Sequence, residues 1–216
     1  MDDHARDGYR RLNAIVPLAE RRDALPPAWR RAHREILAGF ARDCRPPSRR
    51  DLALMAWIDD AGALLDRLAA DDLAVVDAAG EIAGAYPFTT EPTPHRVTLG
   101  PVEVHAMCAV DALAIAPMLD VATRIDSVCA VTGTPVRVRM RGMEIREATP
   151  ATLRVGIHWA KPARGPTAHS LCRRMLFLAD AAAARGWQAE APESRRLYTL
   201  GQAVDLGAAF FVPLYA

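Results

Sequence analysis

The period of the apolar residues changes near Leu73, from a purely helical stretch to one of short strands, and the change limits the possible folds sharply. Between Pro27 and Phe40, residues Trp29, Ala32, Ile36, Leu37 and Phe40 recur at helical spacing, with arginines on the opposite side. Pro26-Pro27 suits the start of that helix. Arg45-Pro46-Pro47-Ser48 breaks it, and Ser48 can cap a second helix from Arg49 to about Trp57. A third is expected from about Asp60 to Ala70. From Leu73 onward the apolar runs shorten: Leu73 to Val76 and Ile82 to Tyr86 flank an Asp77-Ala-Ala-Gly80 turn and read as a hairpin. The pattern predicts an α+β fold, with a winged-helix-like helical module at residues 1–86 packed on a mixed domain of antiparallel sheets and helices at 87–216. Residues 1–25 are read as an extension to which no function is assigned.

Within the second part, Pro87, Pro92 and Pro94 suggest a loop crossing into a new domain, with short strands at Val97 to Leu99 and Val102 to His105. Cys108 to Leu119 is a compact apolar helix ending near Pro117 or just beyond. Arg124 to Val131 and Val136 to Met140 read as strands joined by Thr132-Gly-Thr-Pro135, and Leu153 to Trp159 as another. A Pro/Gly-rich loop at Lys161 to Pro166, an apolar run Met175 to Leu178, a helix from Asp180 to about Arg185 and a last helix near Leu200 to Phe210 complete the chain.

The 216 residues carry a net charge of +1, neither a basic footprint for nucleic acid nor a strongly acidic surface. Three helices and a hairpin are common in DNA-binding modules. Here the third helix and its flanks hold Asp59, Asp60, Asp66, Asp71 and Asp72 against Arg67, a set that phosphates would repel. Nucleic acid is therefore not an expected partner. The chain begins Met1-Asp2-Asp3-His4 and lacks a twenty-residue apolar run, so it is expected to be soluble, cytoplasmic and without a membrane partner.

Cys44, Cys108, Cys129 and Cys172 are widely spaced and include no CxxC pair, which argues against a structural zinc site. Free thiols are expected in a reducing compartment. One short motif stands apart. If Cys108-Ala-Val-Asp111 opens a helix, its spacing of three puts a thiol and a carboxyl on one face, and the helix dipole is expected to lower the thiol pKa. Ser170-Leu171-Cys172 can supply a second sulfur. A very soft, two-coordinate ion such as Hg(II) needs no more than two thiolates. Taken singly, a cysteine is more often a small buried hydrophobe, and Asp111 alone could simply favour the helix dipole.

These blocks resemble a known family. His105-Ala-Met-Cys108-Ala-Val-Asp111-Ala-Leu113, then Ser127-Val-Cys129-Ala-Val-Thr-Gly133-Thr-Pro-Val136, Ser170-Leu171-Cys172 and Val204-Asp-Leu-Gly207-Ala-Ala-Phe210 are similar, in order, to the organomercurial (alkylmercury) lyases of bacterial mercury-resistance systems. The resemblance runs from about residue 30 to about 212. It implies that Cys108 and Cys172 take the mercury, that Asp111 is a ligand and proton shuttle, and that Cys129 is structural. Cys44 matches no functional position of that family and is read as incidental. Two positions depart from the pattern: Arg173 follows Cys172 where some members have another cysteine, and Met107 stands where some have an aromatic residue. Local charge, thiol pKa, product handoff and the substrate pocket are expected to differ accordingly.

The activity so implied is protonolysis of a carbon-mercury bond, giving a hydrocarbon and Hg(II) held by two thiolates. No resident cofactor is required, and external thiols or a mercuric reductase would remove the product. An ordinary aspartic acid is protonated only about once in a thousand at pH 7, a cost near ~4 kcal/mol, so Asp111 needs an apolar pocket or a proton passed from a thiol. A metal-responsive regulator or a carrier without lyase activity is the rival reading; the acidic third helix argues against the regulator, and a carrier has no evident need for the carboxyl.

Overall fold

The helix with the most uniformly apolar sequence lies at the centre of the molecule. In the computed structural model, which describes residues 1–159 and 167–216, α6 (Ala109–Leu119) has every residue from Ala109 to Ala116 buried. A helix that is apolar on all sides has no solvent face and must be enclosed. It is enclosed by strands β5 (Val102–Ala106), β6 (Ala122–Val128) and β7 (Pro135–Arg141) of a large sheet, by β10 (Met175–Leu178), and by α8 (Leu200–Tyr215). Asp120, with φ 53°, ends α6 in a left-handed cap, so the helix passes Pro117 before stopping.

Gly207 sets the closeness of α8. A Cβ there would fall 3.2 Å from the Val110 carbonyl oxygen and 3.2 Å from the Ala114 Cβ, so a larger residue would push α8 away from α6. Thr199 and Gln202 form a capping box that starts α8 in register.

The large sheet adds β1 (Val75–Val76), β2 (Ile82–Ala85), β3 (Phe88–Thr89), β4 (Arg96–Leu99) and β8 (Glu144–Thr149) in the order β1-β2-β3-β5-β4-β6-β7-β8, with every neighbour antiparallel. In β7, Val136, Val138 and Met140 face inward while Arg137, Arg139 and Arg141 face water, the alternation of a one-sided sheet. A second sheet, β10-β9-β11, places β9 (Arg154–His158) between β10 and β11 (Arg195–Thr199). The mixed α+β architecture follows from the sequence pattern. The strands expected at Val97 to Leu99 and Val102 to His105 are β4 and β5, but the segment is not a loop crossing between domains: with β3 it joins the hairpin to the rest of the sheet.

The helical segments come out as α3 (Pro27–Asp43), α4 (Arg49–Ala56, capped by Ser48) and α5 (Ala61–Ala70, capped by Asp60). Phe40 of α3 stacks on Phe88 of β3 with ring centroids 5.4 Å apart, tying these helices to the sheet. Before them stand α1 (Asp3–Ile15) and α2 (Leu18–Asp23), and α1 lies along α8. A Cβ at Gly8 would meet the Leu206 side chain at 2.6 Å, so the two helices touch closely. The alanine-rich helix, α7 (Ala181–Ala189), is one turn longer than its sequence suggests. The loop expected at Lys161 to Pro166 lies outside the described residues.

Candidate active site

Cys108 is the N-cap of α6, with extended backbone angles (φ −154°, ψ 179°), and its Sγ accepts the Asp111 N–H at 3.4 Å. A thiol here fills the place that serine or aspartate usually takes, and the cap itself holds sulfur and carboxyl together. The motif is thus a cap and a first-turn acid, a tighter relation than two residues on one helical face. Cys172 arrives from the other side, opening the 3-10 turn Cys172–Arg174 just before β10. One ligand atom each from Cys108, Asp111 and Cys172 lie within 4.8 Å of one another, and all three residues are buried. Two metal-thiolate bonds of roughly 2.3 Å, the zinc value, would span about that distance.

Burial governs the protonation states. The Asp111 side chain is fully enclosed, and among the described residues neither carboxylate oxygen has a hydrogen-bond partner. Desolvation pushes its pKa up to about 7, while the adjacent Cys108 and Cys172 thiols pull it part of the way back. The expectation that the helix dipole lowers the Cys108 pKa fails. Burial raises it well above the ordinary thiol range, and the Cys172 thiol and the Asp111 carboxyl add to that rise. For Cys172 the Cys108 thiol pulls downward, but burial and the Asp111 charge prevail and the net shift is upward. At neutral pH the cluster therefore keeps its thiol protons, which a bound metal would displace.

The cluster stands behind a cavity of about 290 Å³ whose lining includes Cys172, Met107, Met175, His95 and Arg173. Of the three clustered residues, Cys172 lines this cavity; Cys108 and Asp111 sit deeper. The two positions that depart from the family pattern, Met107 and Arg173, both line it. His95 is buried, its Nδ1 lies 2.9 Å from the Ser127 Oγ, and burial lowers its pKa to about 4, so it is neutral at pH 7.

A clasp holds the approach to Cys172. Tyr86 Oη accepts the Ala168 N–H at 2.7 Å and donates to Asp72 Oδ1 at 3.1 Å, and the Asp72 carboxylate also accepts the Thr167 N–H. Burial raises the Tyr86 pKa well above its ordinary value, so the hydroxyl stays a donor. Tyr86→Phe is expected to lower stability by about 1–3 kcal/mol in urea unfolding, because the buried Ala168 N–H loses its acceptor. These residues, like His95 and Met175, lack a sequence signal, since their partners lie far away in the chain.

Cys129 lies outside the cluster. Its backbone N–H donates to the Thr134 carbonyl at 2.8 Å, its carbonyl accepts the Gly133 N–H, and its side chain packs with Ala179 and Ala183. Burial raises its pKa, but hydrogen bonds led by the Thr132 side chain outweigh that and the net shift is downward. Cys129→Ser is expected to lower the unfolding midpoint, by about 1 kcal/mol, because the smaller, more polar atom loses packing on Ala179 and Ala183, and to leave hydrocarbon release by the folded protein intact. Cys44 is exposed at the left-handed cap of α3.

With the geometry in place, likeness to known proteins becomes informative. An alkylmercury lyase from Streptomyces lividans is 33% identical over 128 residues, covering 59% of this chain and 58% of that protein. One from Staphylococcus epidermidis is 30% identical over 133 residues, 61% of this chain and 60% of the relative. These alignments span about three fifths of the length of the curated relatives. The crystal structure of the mercury-bound form of MerB2 superposes with a TM-score of 0.76 at 24% identity, covering 91% of this chain and 98% of that one, which shows a shared fold. The family model described as alkylmercury lyase matches residues 88–212, more than half of the chain and the part that carries the Cys108, Asp111 and Cys172 cluster, so the protein belongs to the alkylmercury lyase family.

Proposed function

We propose that the protein cleaves carbon-mercury bonds by protonolysis, with Cys108 and Cys172 as mercury ligands and Asp111 as the acid. The observation that carries this reading is a buried carboxyl, with pKa about 7, inside a pair of thiols: a carrier or regulator would need the sulfurs alone. The organomercurial R–Hg–X enters by the cavity and meets Cys172. One thiol replaces X, and its proton leaves with X. The second thiol then bonds to mercury and passes its proton to Asp111, which delivers it to the carbon; R–H leaves and Hg(II) remains between two thiolates. Overall, R–Hg–X and two thiols give R–H, H–X and a mercury dithiolate. Two thiolates raise electron density on mercury, and the acid needs to approach the carbon to within about 3 Å.

Release of Hg(II) to external thiols or to a mercuric reductase, and residence in the cytoplasm, belong to the same proposal. Among the described residues no helix is long and apolar enough to cross a membrane. Residues 1–86 are read as a winged-helix-like module and 87–216 as the catalytic part, with support from helices followed by a hairpin in the chain order. The test is headspace detection of benzene from phenylmercury with the protein and excess small thiol. Release above the rate of thiol alone is expected; its absence would overturn the reading.

A further inference from the structure

A third sulfur stands at the cluster. The Cys108 S–H donates to Met175 Sδ at 3.6 Å, so the thiol points at a thioether while capping α6. Met175 is the first residue of β10, three positions after Cys172, and is itself buried. It lines the same cavity as Cys172, whereas Cys108 does not. The sulfurs of Cys172, Met175 and Cys108 thus run from the cavity wall to the deepest ligand.

Resting on the lyase reading for the nature of the cargo, we propose that Met175 is a third sulfur donor to mercury, making the product site one of two thiolates and one weak thioether. A thioether is a soft ligand that binds without losing a proton, so it adds no charge and leaves the proton count of the reaction unchanged. The methionine side chain is unbranched and adjusts by rotation about its own bonds. An ion bonded to Cys108 is one bond away from an atom already in contact with Met175 Sδ, so closure of the third contact needs no movement of the backbone. Before mercury arrives, the thioether accepts a hydrogen bond from the Cys108 S–H. Once that proton is displaced, the same lone pair faces the metal. In the cleavage step the third donor would add electron density to mercury and hold it as the carbon leaves.

The test uses the full chain in a Cys44→Ser background, which removes the exposed thiol, loaded with one equivalent of mercuric acetate so that no halide competes. Mercury X-ray absorption is expected to show two short sulfur contacts and a third, longer one, and Met175→Leu should lose the third. In competition with a small dithiol, Met175→Leu should retain Hg(II) about tenfold less well, the lower end of the loss expected when a metal site's supporting group is removed. A two-sulfur spectrum in the unsubstituted site overturns the proposal even if the leucine variant folds poorly. So does a spectrum and retention unchanged by Met175→Leu. These readouts do not depend on turnover: benzene release with two sulfurs sinks the thioether alone, whereas three sulfurs with no benzene release sinks the lyase reading and leaves the thioether contact standing.

Discussion

Cys172→Ser is expected to reduce benzene release from phenylmercury by on the order of 10⁴-fold, the scale on which single members of a catalytic set act. The side chains are nearly the same size, so the packing should survive, at a cost of about 1–3 kcal/mol for the hydroxyl in a buried place. The chemistry should not. A hydroxyl is a hard donor with a far higher pKa than a thiol, so it neither competes for a soft ion nor gives up a proton to Asp111 when mercury binds. Mercury held by Cys108 alone stays an R–Hg–thiolate, a stable species whose carbon is too weakly basic to take the proton. In a Cys44→Ser background, which removes the exposed thiol, phenylmercury should therefore remain bound to the variant at one equivalent, detectable by mass, with no hydrocarbon in the headspace. Cys108→Ala should fail as completely, with the further loss of the sulfur that caps α6. Turnover by Cys172→Ser at the rate of the unsubstituted protein would remove the two-thiol mechanism.

The parts of this site that could be read in the sequence are those whose geometry is local. Ser48 caps the helix that follows it, Gly80 takes the left-handed turn of the hairpin at φ 80°, and Cys108 with Asp111 are joined at one helix start. Residues whose roles depend on distant partners gave no such signal. Met175 meets Cys108 across 67 positions and Tyr86 meets Ala168 across 82. Strand β8 was invisible for a different reason. As the outer strand of the sheet it is charged, Glu144-Ile-Arg-Glu-Ala-Thr149, with none of its residues fully buried, so it lacks the apolar alternation that marks an inner strand. For the Cys108 thiol, helix position can be read from sequence, whereas the complete burial that outweighs it cannot.

Asp111→Asn is expected to bind phenylmercury and leave it uncleaved, and also to change how stability depends on pH. The carboxyl titrates at about 7 in the folded chain against 3.8 when exposed. Below pH 3.8 both states hold the proton. Between 3.8 and about 7 the folded state holds it and the unfolded state does not, so this group's stabilising contribution falls as pH rises and is lost by about pH 7. Three pKa units correspond to about 4 kcal/mol. An asparagine does not titrate, so its stability relative to the unsubstituted protein should improve by that order between pH 4 and pH 8, whatever fixed difference the amide introduces. Urea unfolding at several pH values measures this without any turnover. Parallel stability curves would mean that Asp111 has no raised pKa, and the acid role would then lack its physical basis. If the curves diverge as expected, the protein sacrifices stability at neutral pH to keep the Asp111 carboxyl buried beside two thiols, with no hydrogen-bond partner for its oxygens among the described residues. That sacrifice has a use where a proton must be at hand: at a pKa of about 7 roughly half of the Asp111 carboxyls are already protonated at neutral pH, against about one in a thousand for an exposed acid. In the proposed mechanism, mercury binding supplies the rest from the displaced thiol protons, so that the acid is loaded by the same event that brings the substrate.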